Sequence, residues 1–178
     1  MKHVIFSCRL IESAKCQGTP AVEDYATQFE EFSGMGTTLV ALLISPKQAT
    51  VVNVGDSRAY KIADDGIQQI TVDHSLVQMM VDRGDLTAEE ARDYPGKNYI
   101  TRAVGTESMT EGDLFREKLE RGTYLLLCSD GLTNLLDDQE ILFEVIHGAD
   151  KQVCCQMLVD IAKRRGAPDN VTCVLVEI

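Results

Sequence analysis

The sequence predicts one domain of the α+β class, and three observations support that prediction. Short apolar runs separated by turn residues dominate the first half of the chain, which is typical of antiparallel strands. Two amphipathic helical segments lie near the carboxyl end, at 138–146 and 151–164. A final apolar run at 171–178 then adds one more strand. Strands in succession, then helices, then a returning strand indicate α+β rather than a doubly wound fold.

The amino-terminal part gives the weakest pattern. Residues 1–20 contain Gly and Pro that interrupt any periodicity, so we expect this segment to be irregular. Residues 22–32 have the apolar spacing of a helix. Residues 37–44, rich in Leu and Val, predict a strand that Pro46 ends.

The next strands form a hairpin and a meander. Runs 49–54 and 59–62 predict two strands, and Asp-Asp-Gly at 64–66 is a turn signal, so residues 67–71 complete a hairpin. Three more strands are predicted at 100–104, 113–118 and 123–129.

The helices are marked by their caps and apolar faces. Residues 75–82 predict a helix that stops at Gly84, and Thr87 with Glu90 forms a capping box for a short helix at 87–92. Residues 85–98 are otherwise polar, so we expect an exposed excursion. In the last helix the predicted buried stripe is Val153, Met157, Leu158 and Ile161.

Composition excludes several classes of function. The chain has 178 residues, 44% hydrophobic and 25% charged, which suits one globular domain. Its net charge of −11 argues against nucleic-acid and anionic-membrane partners, because both need positive charge facing phosphate. No apolar run approaches the roughly 20 residues of a membrane helix, and the first residues do not resemble a signal peptide. We therefore expect a cytoplasmic protein.

The six cysteines suggest reduced thiols rather than disulfides or zinc. No CxxC spacing occurs, and four of the cysteines lie in predicted strands or helices. They are Cys8, Cys16, Cys128, Cys154, Cys155 and Cys173.

Three aspartates lie beside predicted strands and predict a site for a hard metal ion. Asp130 follows the apolar run LLLC, Asp56 follows VVNVG, and Asp169 precedes the last strand. Gly131 is expected to let the backbone turn after Asp130. Carboxylate oxygens suit Mg²⁺ or Mn²⁺. Each aspartate taken alone is equally typical of a turn or cap.

Six segments occur in an order that identifies a family. GMGTT, VGDSRAY, DHS, YITRAVG, LLLCSDGL and PDNVT resemble the motifs of the metal-dependent protein serine/threonine phosphatases of type 2C (PPM), in their bacterial form. The resemblance implies a four-layer αββα sandwich of antiparallel sheets flanked by helices, here truncated at its amino end. Residues 85–98 then correspond to a flap that influences substrate choice.

The resemblance also implies chemistry. Family members hydrolyse phosphoserine and phosphothreonine with a water activated by Mg²⁺ or Mn²⁺. Asp130 and Asp169 match aspartates of the first metal, and Asp56 matches one of a third, weaker site. Asn134 stands where many relatives carry an acid, so a third metal should bind weakly.

The family's amino-terminal motifs have no counterpart before GMGTT. No Asp-Gly pair occurs between Met1 and Ser33, although the family uses one to bridge both metals. No catalytic residue is assigned, because the family's catalytic histidine and phosphate-binding arginine belong to that part. We expect His74 to be a helix-start or packing residue, and Arg58 and Arg102 to be structural.

Two functions stay open. One is a phosphoprotein phosphatase; the alternative is a catalytically impaired module that binds a phosphoprotein or a partner chain. Exposed edge strands also predict a homodimer or complementation by an amino-terminal fragment.

Overall fold

The computed structural model describes residues 4–6, 18–106, 110–148 and 150–178 of the chain. Cys8 and Cys16 lie outside the described residues. The elements in order are β1 Val4–Phe6, α1 Gly18–Gln28, a 3₁₀ turn Glu30–Phe32, β2 Leu39–Ser45, β3 Gln48–Val54, β4 Arg58–Ala63, β5 Gly66–Gln69, α2 Leu76–Asp82, α3 Ala88–Arg92, β6 Asp113–Lys118, β7 Tyr124–Cys128, α4 Asp130–Thr133, α5 Asp138–His147, α6 Lys151–Arg164 and β8 Cys173–Glu177.

The strands form two four-stranded sheets that pack face to face. One has the order β1-β2-β3-β6 and the other β5-β4-β7-β8. One core lies between the sheets and includes Val40, Val51, Leu125 and Leu127. Helices α4, α5 and α6 cover the outer face of the second sheet. The structure confirms the predicted α+β sandwich of sheets flanked by helices.

Strand β7 is buried on both faces, as its continuous apolar sequence predicts. Leu125 and Leu127 point into the core between the sheets, whereas Leu126 and Cys128 point toward the helices. Successive side chains alternate because a strand has a period of two. Burial of each leucine stabilises the fold by about 1.5–3 kcal/mol, so β7 anchors the residues that follow it.

One strand pairing departs from the antiparallel expectation. Strand β1 pairs with β2 in parallel, with Val4 opposite Leu39. Helix α1 lies between them in sequence, and such a crossover connection leaves the two strands parallel. Residues 4–6 and 18–20 are therefore regular structure within the segment expected to be irregular.

The hairpin β4–β5 and the capping box of α3 are confirmed. The strand predicted at 100–104 is wrong, because this segment makes only isolated bridges, from Val104 to Thr37 and from Ile100 to Ser75. Among the described residues, no helix is long and apolar enough to cross a membrane.

The predicted stripe of helix α6 is confirmed in part. Leu158 is buried and Ile161 packs against the core, whereas Val153 and Met157 are exposed, and Cys154 and Ala162 complete the buried face. Cys and Ala are small and weakly apolar, so the sequence pattern favoured the larger residues Val153 and Met157 over the ones that are buried.

Candidate functional site

A cavity of about 520 Å³ lies where the β3–β4 turn, the end of β7 and the start of α5 meet helices α2 and α3. Its lining includes two of the three predicted metal-site residues, Asp56 and Asp130. Carboxylates outnumber cations: Asp56, Asp73, Asp93, Asp130, Asp137, Asp138 and Glu140 face Arg58, Arg92 and Lys97. Such a surface suits a divalent cation better than a bare anion.

The turn after β3 buries Asp56. Gly55 has φ +107°, and a Cβ there would lie 2.3 Å from Cγ2 of Thr38, so only glycine fits. Thr38 in turn makes a 2.9 Å hydroxyl hydrogen bond with Ser57, the residue after Asp56. Asp56 is only 9% exposed as a result.

His74 holds this turn from the opposite side. The His74 ring atom Nδ1 accepts a hydrogen bond from the backbone N–H of Gly55 at 3.0 Å. The backbone N–H of His74 donates to the Gly55 carbonyl oxygen at 2.9 Å. Because Nδ1 accepts a hydrogen bond, the ring proton lies on Nε2 and points to Asp113 at 3.1 Å. His74 is thus the packing residue that the sequence predicted.

Asp113 completes the support. It accepts a 2.8 Å hydrogen bond from Arg102 as well as the one from His74. Partial burial opposes its charge, but the two hydrogen bonds prevail and lower the pKa of Asp113 below its ordinary value. Arg102 is structural, as expected. Asp113 was not singled out from the sequence, because only the fold brings β6 beside His74.

Asp130 begins the four-residue helix α4, directly after β7. Gly131 was expected to let the backbone turn here, but it is not among the glycines with positive φ. A Cβ on Gly131 would lie 2.4 Å from the Asn170 carbonyl oxygen, so glycine is needed for close approach. Asn134 donates to Oδ2 of Asp130 at 3.3 Å, which leaves an amide beside this carboxylate.

Asp169 lies on the loop that packs against Asp130's turn. The Ser129 hydroxyl donates to the Asn170 carbonyl and accepts the Thr172 N–H, each at 3.1 Å. The Asp169 carboxylate itself is exposed and accepts the N–H of Asn170 at 2.7 Å. It does not line the cavity that Asp56 and Asp130 share.

The donor chemistry of the site fits a hard divalent cation. Asp56 and Asp130 offer carboxylate oxygens to one cavity, which are the ligands that Mg²⁺ and Mn²⁺ prefer. Within the part of the chain that the structure describes, no group of three His, Cys, Asp or Glu side chains could hold a metal ion. Water or substrate oxygens would therefore complete any coordination shell there.

Arg58 forms an ion pair with Asp73 in the wall of the cavity. Its guanidinium binds Asp73 through Nε and Nη2 at 3.0 and 2.7 Å, and Nη1 donates to the Tyr60 hydroxyl. Burial opposes the guanidinium charge, but Asp73 outweighs it and raises the pKa of Arg58 further. Arg58 is therefore structural, and Arg92 and Lys97 are the remaining cations of the lining.

Comparison with known proteins decides the family. The family profile described as Protein phosphatase 2C matches residues 9–158. The chain belongs to the protein phosphatase 2C family. The serine/threonine phosphatase Stp of Listeria innocua is 40% identical over 155 residues, which are 86% of this chain and 61% of that protein. PstP of Mycobacterium tuberculosis is 36% identical over 168 residues, 94% of this chain and 32% of that protein.

Solved structures of the protein phosphatase 2C family agree with the fold. The serine/threonine phosphatase Stp1 from Staphylococcus aureus superimposes with a TM-score of 0.86 at 40% identity, over 90% of this chain and 63% of that one. The catalytic domain of PstP in complex with two manganese ions gives a TM-score of 0.80 at 36% identity, over 90% and 66%. The chain thus spans less than two-thirds of the length of the first relatives.

Proposed function

We propose that this chain is a phosphatase of the protein phosphatase 2C family that hydrolyses phosphoserine and phosphothreonine in proteins with Mg²⁺ or Mn²⁺. The observation that carries the proposal is the shared cavity of Asp56 and Asp130, beside the segment 85–98. Support comes from the sequence relatives, which are named serine/threonine phosphatases.

The first metal would be held by Asp130 and Asp169, and Asp56 would belong to a separate, weaker metal site in the same region. A bound divalent cation supplies an acidified water as nucleophile and neutralises the phosphoryl oxygens. Asp56 and Asp130 present their carboxylates from rigid supports, the Gly55 turn and the end of β7. The exposed Asp169 side chain would have to turn toward Asp130, on whose turn its loop packs.

Segment 85–98 would form the substrate side of the cavity. Residues of helix α3 and Lys97 line the cavity together with Asp56 and Asp130. Lys97 donates to the Arg92 carbonyl at 3.0 Å, which brings its ammonium group close to the end of the arginine's helix. These two cations would bind acidic groups of a phosphoprotein, while the metal takes the phosphate itself.

A second candidate function is a module that binds a partner without turnover. The exposed Asp169 carboxylate outside the cavity favours it, because a metal held by fewer carboxylates binds weakly. Strand β8 ends its sheet in the described fold, with Val174 41% exposed. An open edge of this kind pairs with a strand of a second copy or of a complementing fragment.

Hydrolysis of an aryl phosphate by the purified chain separates the two candidates. We expect turnover with Mn²⁺, loss of turnover with EDTA, and loss in Asp130→Asn. Asp93→Asn, an exposed carboxylate on the same cavity, serves as the matched control and should retain turnover. The absence of turnover with both Mn²⁺ and Mg²⁺, together with a dimer in size-exclusion chromatography, would favour the binding module.

A further inference from the structure

Two cysteines outside the cavity lie side by side on α6 and β8. The Cys173 thiol donates to the Cys155 carbonyl oxygen at 3.6 Å. Helix α6 packs directly on strand β8, so the contact joins two adjacent elements. The proposed phosphatase reaction makes no use of either thiol.

The two thiols differ in reactivity. The neighbouring Cys173 thiol and, against the opposing effect of burial, the Leu175 backbone lower the pKa of Cys155 below that of an ordinary thiol. The same contact with Cys155, and then burial, raise the pKa of Cys173. Cys155 is therefore the thiol that more readily forms the nucleophilic thiolate.

The other described cysteines are poorer nucleophiles. Cys128 is fully buried, and burial raises its pKa to about 12. Burial likewise raises the pKa of Cys154 to about 11. Cys155 and Cys173 are each partly exposed, so a small oxidant can reach them.

We propose that Cys155 and Cys173 are a peroxide-sensitive dithiol, in which Cys155 is oxidised first and Cys173 then closes a disulfide between α6 and β8. The Cys155 thiolate attacks one oxygen of hydrogen peroxide, the O–O bond breaks, and the leaving hydroxide takes up a proton to form water. The Cys173 sulfur then attacks the sulfenic sulfur, the S–O bond breaks, and a second water leaves. Two thiols and one peroxide thus give one disulfide and two waters.

This bond would act on the proposed metal site through the loop between the two elements. Asp169 lies on that loop, between the end of α6 and Cys173. A disulfide closes the loop covalently and restricts the positions that Asp169 can reach. The disulfide can be tested without phosphatase activity, because mass spectrometry detects the oxidised cysteines directly.

Cys128 is the competing partner. It lies directly opposite Cys173 in the β7–β8 pairing, so both side chains point to the same face of the sheet. Its burial and raised pKa disfavour it as the first thiol to be oxidised. The two candidate bonds give different peptides, which makes the choice measurable.

The test is peroxide treatment of the reduced full chain, followed by alkylation, trypsin digestion and mass spectrometry. We expect a cross-link between peptides 152–163 and 166–178, which contain the two cysteines. Cys154→Ser, the neighbouring cysteine, should retain the cross-link and assign it to Cys155. Cys155→Ser should lose the cross-link, and its remaining Cys173 thiol should be oxidised at least about tenfold more slowly than the wild-type pair.

The cross-linked peptides of the wild-type chain test the proposed disulfide even if a variant folds poorly. A cross-link from Cys173 to Cys128 or Cys154 would overturn the proposal. So would Cys155 and Cys173 that both remain alkylatable after treatment, or a Cys155 sulfenic acid that never closes onto Cys173.

Discussion

The Nδ1 atom of His74 accepts the backbone N–H of Gly55, the residue before Asp56, at 3.0 Å. The same ring reaches Asp113 through Nε2, so one buried imidazole links the turn that carries a cavity carboxylate to strand β6. The position of Asp56 therefore depends on a histidine that touches neither metal nor substrate in the proposed reaction.

Replacing His74 tests this support. His74→Leu leaves the Gly55 N–H without its partner and removes one of the two side-chain hydrogen bonds of Asp113, so we expect a loss of about 1–3 kcal/mol in the free energy of unfolding. His74→Asn should recover part of it, because its carbonyl oxygen can accept the Gly55 N–H. The exposed His147 at the end of α5 is the matched control, and His147→Asn should change stability by less than about 0.5 kcal/mol. Urea denaturation measures all three; equal effects of His74→Leu and His147→Asn would contradict the support.

Gly131→Ala tests the close approach of two loops. The added methyl group would meet the Asn170 carbonyl, so we expect about 1–3 kcal/mol of destabilisation, although alanine normally favours a helix. Gly84→Ala is the comparison, because at φ +78° it introduces backbone strain with no atom within 4 Å. Thermal unfolding should show the larger loss for Gly131→Ala. The reverse order would show that the loops separate freely.

Arg58→Met tests the ion pair in the cavity wall. The Asp73 side chain is 9% exposed and would lose its cationic partner, so we expect about 3–5 kcal/mol of destabilisation. The double variant Arg58→Met with Asp73→Asn removes both charges and should be clearly more stable than Arg58→Met alone. Chemical denaturation of the two variants provides the comparison, and identical stabilities would rule out a strong interaction between the two side chains.

Acid should weaken the pair of Glu140 and Arg165. Hydrogen bonds from Arg165, and then from the Asp137 N–H, lower the pKa of Glu140 from 4.5 to about 2. Because this carboxyl is more acidic in the folded state, its stabilisation is present above pH 4.5 and is lost as pH falls toward about 2. The difference in melting temperature between wild type and Arg165→Gln should therefore shrink over that range. A constant difference would mean that the pair contributes no charge interaction.

The sequence predicted most of the fold because its signals are local. The capping box of α3 and the two-sided burial of β7 each follow from a few neighbouring residues. The strand expected at 100–104 failed because β-propensity cannot show whether a partner strand is adjacent. The stripe of α6 was predicted only in Leu158 and Ile161, because the small buried residues Cys154 and Ala162 give almost no apolar signal.

The sequence placed two of the three aspartates together but could not give the arrangement around them. Asp56 and Asp130 do share a cavity, as their positions beside strands suggested. The sequence could not show that Asp169 points to solvent, or that Asp113 and His74 form a support, since both depend on contacts between distant segments.

Manganese binding tests the central claim most directly. Calorimetric titration of the chain with Mn²⁺ should give a saturable signal that Asp130→Asn and Asp56→Asn each weaken by at least about tenfold. Asp93→Asn, which removes a charge from the same cavity, should bind as the wild type does. Binding that is unchanged in Asp130→Asn, or equally weakened in Asp93→Asn, would contradict a metal site at these two aspartates.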